Sequence, residues 1–237
     1  MKHIARFYAL HKLSAHAEVS LDNRQMHHAI HVLRLKKNDD VIMFNEHSGE
    51  WHCQIIDEKK TSVKCISILR NAMAEKGPVL AISLINPVKM SLLLEKTTEL
   101  GVTKIIPVIS QYTQYKNFNL KKAENIVIGA SEQSRRMTIP QICAPLDLQK
   151  FLNTYPFNFP LLVGDETRAG IALKDAVSSE IAFLVGPEGG FSTAEFKMME
   201  KYDFIKKITI GKNILRSETA AIAAMAVWNV LEASLRE

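Results

Sequence analysis

The stretch Ile181–Phe191 has the sequence IAFLVGPEGGF, and the later stretch Ile208–Ala220 has the sequence ITIGKNILRSETA. Each begins with a short apolar run that ends in a glycine-containing turn, a pattern typical of a buried strand in a parallel sheet. Glycine lets a ligand approach the main chain, and Pro187 stiffens its turn. Loops at the carboxyl ends of parallel strands bind ligands in open α/β sheets. The two stretches therefore predict one binding site, with ordinary strand–turn–helix crossovers as the alternative.

A helix is predicted after each of these stretches. Ser192 and Glu195 have the spacing of a capping box, which marks a helix start. The alanine-rich run from about Thr219 to Leu235 predicts the second helix. Its small side chains allow close packing, either across a two-fold axis between two copies or within one subunit.

From Val79 onward the sequence alternates strand patterns with helix patterns. Apolar runs predict strands at Val79–Ile85, Lys104–Ile109, Phe159–Gly164, Ile181–Val185 and Ile208–Gly211. Helices are predicted from Pro87 to Gly101, with Met90, Leu93, Leu94 and Thr97 on one face, and over Lys121–Arg136, with Ala123, Ile126, Val127 and Ala130 inward. This alternation predicts an α/β fold with a parallel sheet and helices on both faces.

The first part of the chain has a mostly β pattern. Val41–Phe44, Trp51–Ile56 and Thr61–Ile68 have the features of short strands, and the last two alternate apolar with polar residues. Met26–Leu33 predicts a short helix with Ile30 and Leu33 turned inward. Several short strands within roughly 70 residues are typical of a small barrel.

Residue usage changes near residue 70. All eight histidines lie within the first 52 residues, and all eight prolines lie after residue 77. Two regions of such different composition indicate two domains, which we predict to span residues 1–72 and 73–237.

Charge and composition exclude some functions and favour others. A net charge of +5 favours polyanionic partners only mildly. Cys53, Cys65 and Cys143 have no metal-binding spacing and fit a reducing compartment. His27 and His31 are one helical turn apart, but no further ligands have suitable spacing, so no metal is expected. No apolar run reaches membrane-spanning length, and the first residues lack the features of a secretory signal, so we expect a cytoplasmic protein without a membrane partner.

The motifs GPEGGF at 186–191 and ILRSETA at 214–220 resemble the signature of the SPOUT, or trefoil-knot, RNA methyltransferases. Within that superfamily the chain is similar to the family that methylates N3 of a uridine in 16S ribosomal RNA. The segments His27–His28, Val32–Leu35, Asn86–Val102 and Glu132–Arg136 resemble further motifs of this family, so the similarity spans nearly the whole chain.

The resemblance implies a PUA-like RNA-binding β-barrel followed by an α/β-knot methyltransferase domain. It also implies S-adenosylmethionine as methyl donor, 16S ribosomal RNA of the small ribosomal subunit as partner, and a homodimer. The cofactor is expected to lie against three loops that follow strands. The expected cofactor-binding residues are Leu162, Val163, Gly164, Val185, Gly186, Pro187, Glu188, Gly189, Ile210, Gly211, Leu215, Arg216 and Ala220.

Methylation of uracil N3 requires that the N3–H proton leaves and that negative charge spreads onto the uracil oxygens. A fixed cation beside those oxygens lowers the barrier. Arg216 is the expected cation because it lies in the second loop and stays protonated. Glu188 and Glu218 are candidates for holding Arg216, orienting the base or accepting the proton. A structural role at the helix N-terminus explains Glu218 equally well.

Basic and polar residues outside these loops are candidates for RNA contacts. Cations bind phosphates, whereas aromatic rings stack on bases. For Phe7 and Tyr8 a core role and an RNA role are equally supported, and a solvated face remains the alternative for each lysine or arginine. The expected RNA-binding residues are Arg6, His27, His28, Arg34, Lys89, Lys96, Gln133, Arg135 and Arg136.

Three other functions compete with this one. A knotted methyltransferase could act on another RNA or on ribose, and a non-catalytic RNA-binding or assembly factor could keep the same fold. A dinucleotide-binding enzyme is disfavoured because no G-x-G-x-x-G motif follows an early strand and no P-loop is present.

Overall fold

The computed structural model describes residues 4–57, 62–165 and 170–235. The chain divides into two compact units. The first comprises Met1–Glu75 together with Ser131–Ile139, and the second comprises Lys76–Ala130 with Pro140–Glu237. The short segment Ser131–Ile139 therefore belongs to the first unit, although the sequence analysis placed it in the second domain.

The first unit is built on a five-stranded sheet with the order β1-β3-β4-β5-β2. Its elements are β1 (Ala5–Tyr8), β2 (Glu18–Ser20), α1 (Asn23–His27), a π-helical turn (His28–Val32), β3 (Asp40–Asn45), β4 (Gly49–Asp57) and β5 (Ser62–Arg70). Strand β1 pairs with β3 in parallel, and the remaining pairs are antiparallel. The predicted strands are confirmed, except that Thr61 lies outside the described residues.

The core of the first unit forms from the alternate residues of these strands. Phe7, Val41, Met43 and Ile55 are fully or almost fully buried in it. Period-two alternation puts such residues on one face of a sheet, which explains their common burial. Phe7 therefore has a core role, and the alternative that its ring stacks on RNA bases is not supported.

The predicted helix Met26–Leu33 is present as α1 and the π-helical turn that follows it. Asp22 caps α1 through a capping box with Gln25. Ala29 is the fully buried residue of the turn, and Ile30 packs partly against the core. The expectation that Leu33 points inward is wrong, because it follows the turn and its side chain is exposed.

Arg6 is buried within the first unit and does not face solvent. Its guanidinium donates to the carbonyl oxygens of Ser131 and Arg136 at 2.9 and 2.6 Å, and it forms an ion pair with Glu50. Its Cζ also lies 3.3 Å from the centre of the Phe44 ring. Burial lowers the pKa of Arg6 to about 10, although Glu50 opposes this effect. The predicted RNA contact is wrong for Arg6, because its donors are used inside the fold.

Arg136 is also buried, and the same correction applies to it. Its Nε lies 3.0 Å from Glu75 Oε2. Glu75 further accepts hydrogen bonds from the Met137 N–H at 2.7 Å and the Thr138 hydroxyl at 2.8 Å. Burial alone would raise the pKa of Glu75, but these hydrogen bonds and the charge of Arg136 lower it overall. Arg136 thus fixes the segment Ser131–Ile139 and is not available to phosphate.

Glu132 joins the same segment to the start of the first unit. Its carboxylate accepts two hydrogen bonds from Arg24, at 3.0 and 3.1 Å. It also accepts the backbone N–H of Tyr8 at 3.1 Å. A bidentate arginine–carboxylate pair is among the stronger polar contacts in proteins. Glu132 and Arg136 of this motif therefore have structural roles in this unit, whereas Gln133 and Arg135 are exposed.

The second unit contains an eight-stranded sheet in which every recorded pair is parallel. Its path has the order β11-β13-β10-β12-β6-β7-β8, with β9 beside β7. The strands are β6 (Val79–Ser83), β7 (Lys104–Ile109), β8 (Gln141–Ile142), β9 (Leu146–Asp147), β10 (Leu161–Gly164), β11 (Ile171–Ala172), β12 (Ala182–Val185) and β13 (Ile205–Thr209). The predicted parallel α/β fold is confirmed. The last strand ends earlier than Gly211, so Ile210 and Gly211 already belong to a loop.

Several helices of the second unit begin after a residue whose side chain caps the first turn. They are α2 (Pro87–Glu99), α3 (Leu120–Ser134, whose last turn belongs to the first unit), α4 (Leu148–Asn153), α5 (Leu173–Ala176), α6 (Thr193–Met199) and α7 (Ser217–Leu235). Asn86 caps α2, and Pro87 occupies its first turn. The Ser192–Glu195 capping box of α6 is confirmed. Gly101 follows α2 with a φ of 99°, a backbone conformation that favours glycine.

The alanine-rich helix α7 buries its small face within a single subunit. Ala221, Ala224 and Met225 are almost fully buried, and α7 packs against α2, α5 and β12. The Trp228 side chain donates to the carbonyl oxygen of Ser178 at 3.1 Å. Packing inside one chain therefore accounts for Ala221 and Ala224, whereas Ala220, Ala223 and Ala226 are half-buried, so contact across a two-fold axis stays a prediction. Among residues 4–57, 62–165 and 170–235, no helix is long and apolar enough to cross a membrane.

We predict that Glu75→Ala lowers the free energy of unfolding by about 2 kcal/mol at pH 7, because partly buried donors lose their acceptor. Since the pKa of Glu75 is lowered in the folded state, its contribution is full above its ordinary value of 4.5. The contribution disappears as the pH falls through the lowered folded-state pKa. Urea unfolding of the whole chain at several pH values measures both effects.

Glu18→Ala is the matched control, because Glu18 is an exposed residue of β2 in the same unit. We expect its effect to stay within about 0.5 kcal/mol. Equal stability losses for the two variants, or the same pH dependence in Glu75→Ala as in the wild type, would contradict the structural role of Glu75.

Candidate functional site

A cavity of about 500 Å³ lies in the second unit, at the carboxyl ends of its central strands. Strand β10 pairs in parallel with β12 on one side and β13 on the other. The loops that follow these three strands therefore come together, although they are far apart in the sequence. The cavity volume is within the range of small-molecule sites in proteins.

The cavity lining comes from the ends of these strands, from the loops that follow them and from the starts of three helices, with Phe196 contributed by α6. Residues from the first turns of α2 and α7 contribute Lys89, Ser217 and Ala220. The remaining lining residues are Gly164, Asp165, Val185, Gly186, Pro187, Glu188, Gly190, Phe191, Phe196, Ile208, Thr209, Ile210, Gly211, Asn213, Ile214, Leu215 and Arg216.

Most of the residues predicted to bind the cofactor line this cavity. They are Gly164, Val185, Gly186, Pro187, Glu188, Ile210, Gly211, Leu215, Arg216 and Ala220. The structure does not bring Leu162, Val163 or Gly189 to the lining. Leu162 and Val163 are fully buried in β10, because a central parallel strand packs on both faces.

The glycines of the site fall into two groups, which differ in what a side chain at each position would meet. A Cβ atom added to Gly164 or Gly211 would meet no atom within 4 Å, so these two residues border open space. A Cβ on Gly186 would lie 3.1 Å from the Phe191 ring, and one on Gly189 would lie 3.2 Å from the Cβ of Tyr112. Gly164 and Gly211 therefore leave room for a ligand, whereas Gly186 and Gly189 leave room for aromatic side chains.

Lys89 lies between the two acidic side chains of the motifs. Its Nζ is 3.5 Å from Glu188 Oε1 and 3.9 Å from Glu218 Oε1. Lys89 is in the first turn of α2, Glu188 is in the loop after β12, and Glu218 is in the first turn of α7. Three separate stretches of sequence thus form one charged cluster beside the cavity.

Arg216 lines the cavity but is not held as the sequence predicted. Its side chain is exposed, and it forms no ion pair with any of the residues that the structure describes. The expectation that Glu188 or Glu218 holds Arg216 is wrong in this structure, because α2 brings Lys89 to both carboxylates instead. Glu218 is buried and does not itself line the cavity.

The other predicted RNA-binding residues lie outside the cavity. In the first unit, exposed positions are found for His27, His28, Arg34, Gln133 and Arg135. In the second unit, Lys96 pairs with Glu95 and Glu99 at 2.7 and 2.9 Å, and these hydrogen bonds raise the pKa of Lys96. Across residues 4–57, 62–165 and 170–235, no group of three histidine, cysteine or acidic side chains is placed to hold a metal ion.

Sequence reasoning missed several lining residues. Asp165 follows Gly164 directly at the end of β10, where an acidic residue at a strand end is a usable signal. Asn213 lies within the second motif stretch and could have been found in the same way. Phe191 and Phe196 gave no such signal, because an aromatic residue near a helix start is normally a core residue.

Comparison with known proteins identifies the family. Residues 75–229 match a family model described as an RNA methyltransferase domain, and residues 21–66 match one described as an RNA methyltransferase PUA domain. The chain is 34% identical to "Ribosomal RNA small subunit methyltransferase E" of Rickettsia conorii, over 98% of each protein. The chain belongs to the ribosomal RNA small subunit methyltransferase E family.

Two solved structures have the same fold as this chain over nearly its whole length. A ribosomal RNA small subunit methyltransferase E from Neisseria gonorrhoeae, bound to S-adenosyl methionine, has a TM-score of 0.85 and 31% identity, covering 97% of this chain and 98% of that one. The putative methyltransferase Lpg2936 from Legionella pneumophila, in complex with SAM, has a TM-score of 0.87 and 27% identity at the same coverage. The PUA-like assignment of the first unit is thus confirmed, whereas the trefoil knot stays a prediction from the family.

We predict that Gly189→Ala destabilises the second unit by about 1–3 kcal/mol, because its new methyl group overpacks against Tyr112. The turn that carries Tyr112 cannot easily move, since Ser110 and Thr113 hydrogen-bond to each other within it. Gly211→Ala is the matched control, because the same methyl group meets open space there. Thermal unfolding of both variants measures the difference, and equal melting temperatures would contradict the packing argument.

Proposed function

We propose that this protein transfers a methyl group from S-adenosylmethionine to N3 of a uridine in 16S ribosomal RNA of the small ribosomal subunit. The observation that carries the proposal is the cavity at the ends of β10, β12 and β13, because most residues of the two family motifs line it. Family membership over the whole chain supports the same reaction. One part of the cavity holds the methyl donor, and its polar residues contact the base.

The residues of the cavity fit the proposed donor. Open space above Gly164 and Gly211 leaves room for a nucleoside or methionine group against the main chain. Val185, Ile210 and Leu215 supply apolar contacts, and the loop backbones supply hydrogen-bonding groups. S-adenosylmethionine, when bound, supplies an electrophilic methyl group on a sulfonium.

The protein's own groups bind and orient the uridine. The base must leave its stack to reach a cavity of this kind. Cationic side chains of the protein then hold the phosphates on either side of that base. Arg216 is suited to such a contact, because it lies at the cavity, is exposed and has no ion pair among the described residues. Glu188 also lines the cavity and offers a carboxylate to the N3–H group.

We further propose that the protein works in the cytoplasm, where ribosomal subunits are made, and that it forms a homodimer. Both follow from the family and the proposed substrate. Exposed apolar side chains of the second unit, such as Val88 on α2 and Val230 on α7, are compatible with a subunit contact.

We expect the purified protein to transfer labelled methyl groups to small ribosomal subunits that lack the modification, and to yield N3-methyluridine on nucleoside mass spectrometry. Gly211→Leu should abolish donor binding in calorimetry while keeping the melting temperature, because the larger side chain enters open space. Lys212→Leu is the matched control, since it adds the same side chain one residue later, at an exposed position outside the cavity lining.

Three results would contradict the proposal in different ways. A methyl group on ribose, on another base or on transfer RNA would replace the proposed substrate. Absence of donor binding by the wild type would instead favour a non-catalytic RNA-binding factor. Full donor binding by Gly211→Leu would remove the cavity from the proposed donor site.

We predict that Arg216→Ala raises the KM for ribosomal subunits by about tenfold, the effect of losing one contact of roughly 1.4 kcal/mol. The affinity for S-adenosylmethionine should change less than threefold, because the exposed guanidinium is not needed to shape the cavity. Steady-state kinetics with varied subunit concentration, together with calorimetry of the donor, measures the two effects. An unchanged KM would exclude Arg216 from substrate binding.

A further inference from the structure

The charged cluster of Lys89, Glu188 and Glu218 differs from a surface salt bridge in its position. Lys89 lines the cavity, and only 30% of its side chain is exposed. Its ammonium is held by charge from two sides, by Glu188 at 3.5 Å and Glu218 at 3.9 Å. A partly buried cation fixed in this way acts in a lower dielectric than a cation in water.

Two polar groups of this cluster, the ammonium of Lys89 and Oε2 of Glu218, have no hydrogen-bond partner among the described residues. Both distances from Lys89 Nζ are longer than an N–H···O hydrogen bond, so its donors are not used by the residues that the structure describes. Glu218 is only 8% exposed, and its Oε2 likewise has no hydrogen-bond partner within the described ranges. Buried polar groups without partners are costly and rare in native proteins, so this cluster is prepared for a polar ligand.

Arg216, which the sequence suggested as the fixed cation, differs from Lys89 in its exposure and in its lack of an ion pair with the described residues. It is exposed, and none of the described residues forms an ion pair with it. A long, solvated side chain must be ordered at the moment of reaction, which reduces its effect on a transition state. The preorganised cation of this site is therefore Lys89.

We propose that Lys89 is a catalytic residue whose ammonium stabilises the negative charge on a uracil oxygen during methyl transfer, and that Glu218 is the positioning residue that fixes it. This assignment rests on the function proposed above. It replaces the role in phosphate binding that the sequence suggested for Lys89. A fixed donor aimed at developing charge is effective because it needs no reorganisation during the reaction.

The chemical step balances with groups already named. The N3–H bond breaks, and its proton passes to the carboxylate of Glu188, the one member of the acidic pair that lines the cavity. The electron pair left on the base is shared between N3 and the oxygens, where Lys89 stabilises it. N3 then bonds to the methyl carbon, and the donor's carbon–sulfur bond breaks to leave a neutral thioether.

Two other roles for Lys89 make different predictions. A phosphate ligand would affect RNA affinity and its salt dependence, because each neutralised phosphate releases counterions. A ligand for the carboxylate of S-adenosylmethionine would affect donor affinity. The proposed role affects the rate of the chemical step when both substrates are saturating.

The test uses Lys89→Met, which keeps an unbranched apolar side chain of similar size and removes the charged ammonium. We expect single-turnover methyl transfer to small ribosomal subunits to slow by about 100-fold or more, the effect of losing one preorganised donor. The dissociation constant for S-adenosylmethionine should change less than threefold, and the slope of log affinity against log salt for RNA should be unchanged. Lys121→Met is the control, because Lys121 is a remote residue with 80% of its side chain exposed.

Glu218→Gln tests the positioning role, because it removes the charge and keeps the shape. We expect a slower chemical step with an unchanged KM and melting temperature. The double variant Lys89→Met/Glu218→Gln should be no slower than Lys89→Met alone, because Glu218 acts through Lys89. A merely structural role for Glu218 would instead lower the melting temperature and add to the effect of Lys89→Met.

Each contrary result is distinct. An unchanged rate with a salt slope reduced by about one would identify Lys89 as a phosphate ligand. An unchanged saturated rate with donor affinity weakened more than tenfold would identify it as a donor ligand, and either result would overturn the proposal. Absence of methyl transfer by the wild type in the same assay would overturn the proposed function itself, and this assignment with it.

Discussion

The parallel pairing of β10 with both β12 and β13 is the constraint on which the candidate site depends. Parallel strands that pair directly end at the same edge of the sheet, so three loops distant in sequence enclose one cavity. Strands β10 and β12 are almost fully buried, because a central parallel strand packs on both of its faces. The position of every loop residue at the cavity follows from this pairing.

The electrostatics of the site depend on where two helices begin. Helix α2 starts at Pro87 and brings Lys89 to the cavity, whereas α7 starts at Ser217 and brings Glu218 behind it. The loop after β12 adds Glu188. These residues form a partly buried cluster of fixed charges, while Arg216 stays exposed at the same cavity. A fixed cation suits stabilisation of charge in the reaction, and a mobile one suits the capture of a large polyanion.

The first unit uses charged residues for a different purpose. Arg6, Arg136, Glu75 and Glu132 join the segment Ser131–Ile139 to the rest of the first unit through buried or partly buried hydrogen bonds. Buried guanidinium groups are tolerated here because carboxylates and carbonyl oxygens satisfy their donors. The stability of this unit therefore depends on ion pairs as well as on its apolar core. His27, Arg34 and Arg135 are exposed, and RNA contacts by these residues stay a prediction from the family.

Local patterns in the sequence determined five of the eight parallel strands, the start of α2 at Pro87, the capping box of α6 and most of the cavity loops, because apolar periodicity and turn residues act over a few positions. Motif similarity determined the family, since GPEGGF and ILRSETA are specific. Only the tertiary structure decided the partners of charged groups: it buried Arg6 and Arg136, and it placed Lys89 instead of Arg216 beside Glu188 and Glu218. An ion pair depends on which distant residues the fold brings together, and no pattern within a single segment of sequence contains that information.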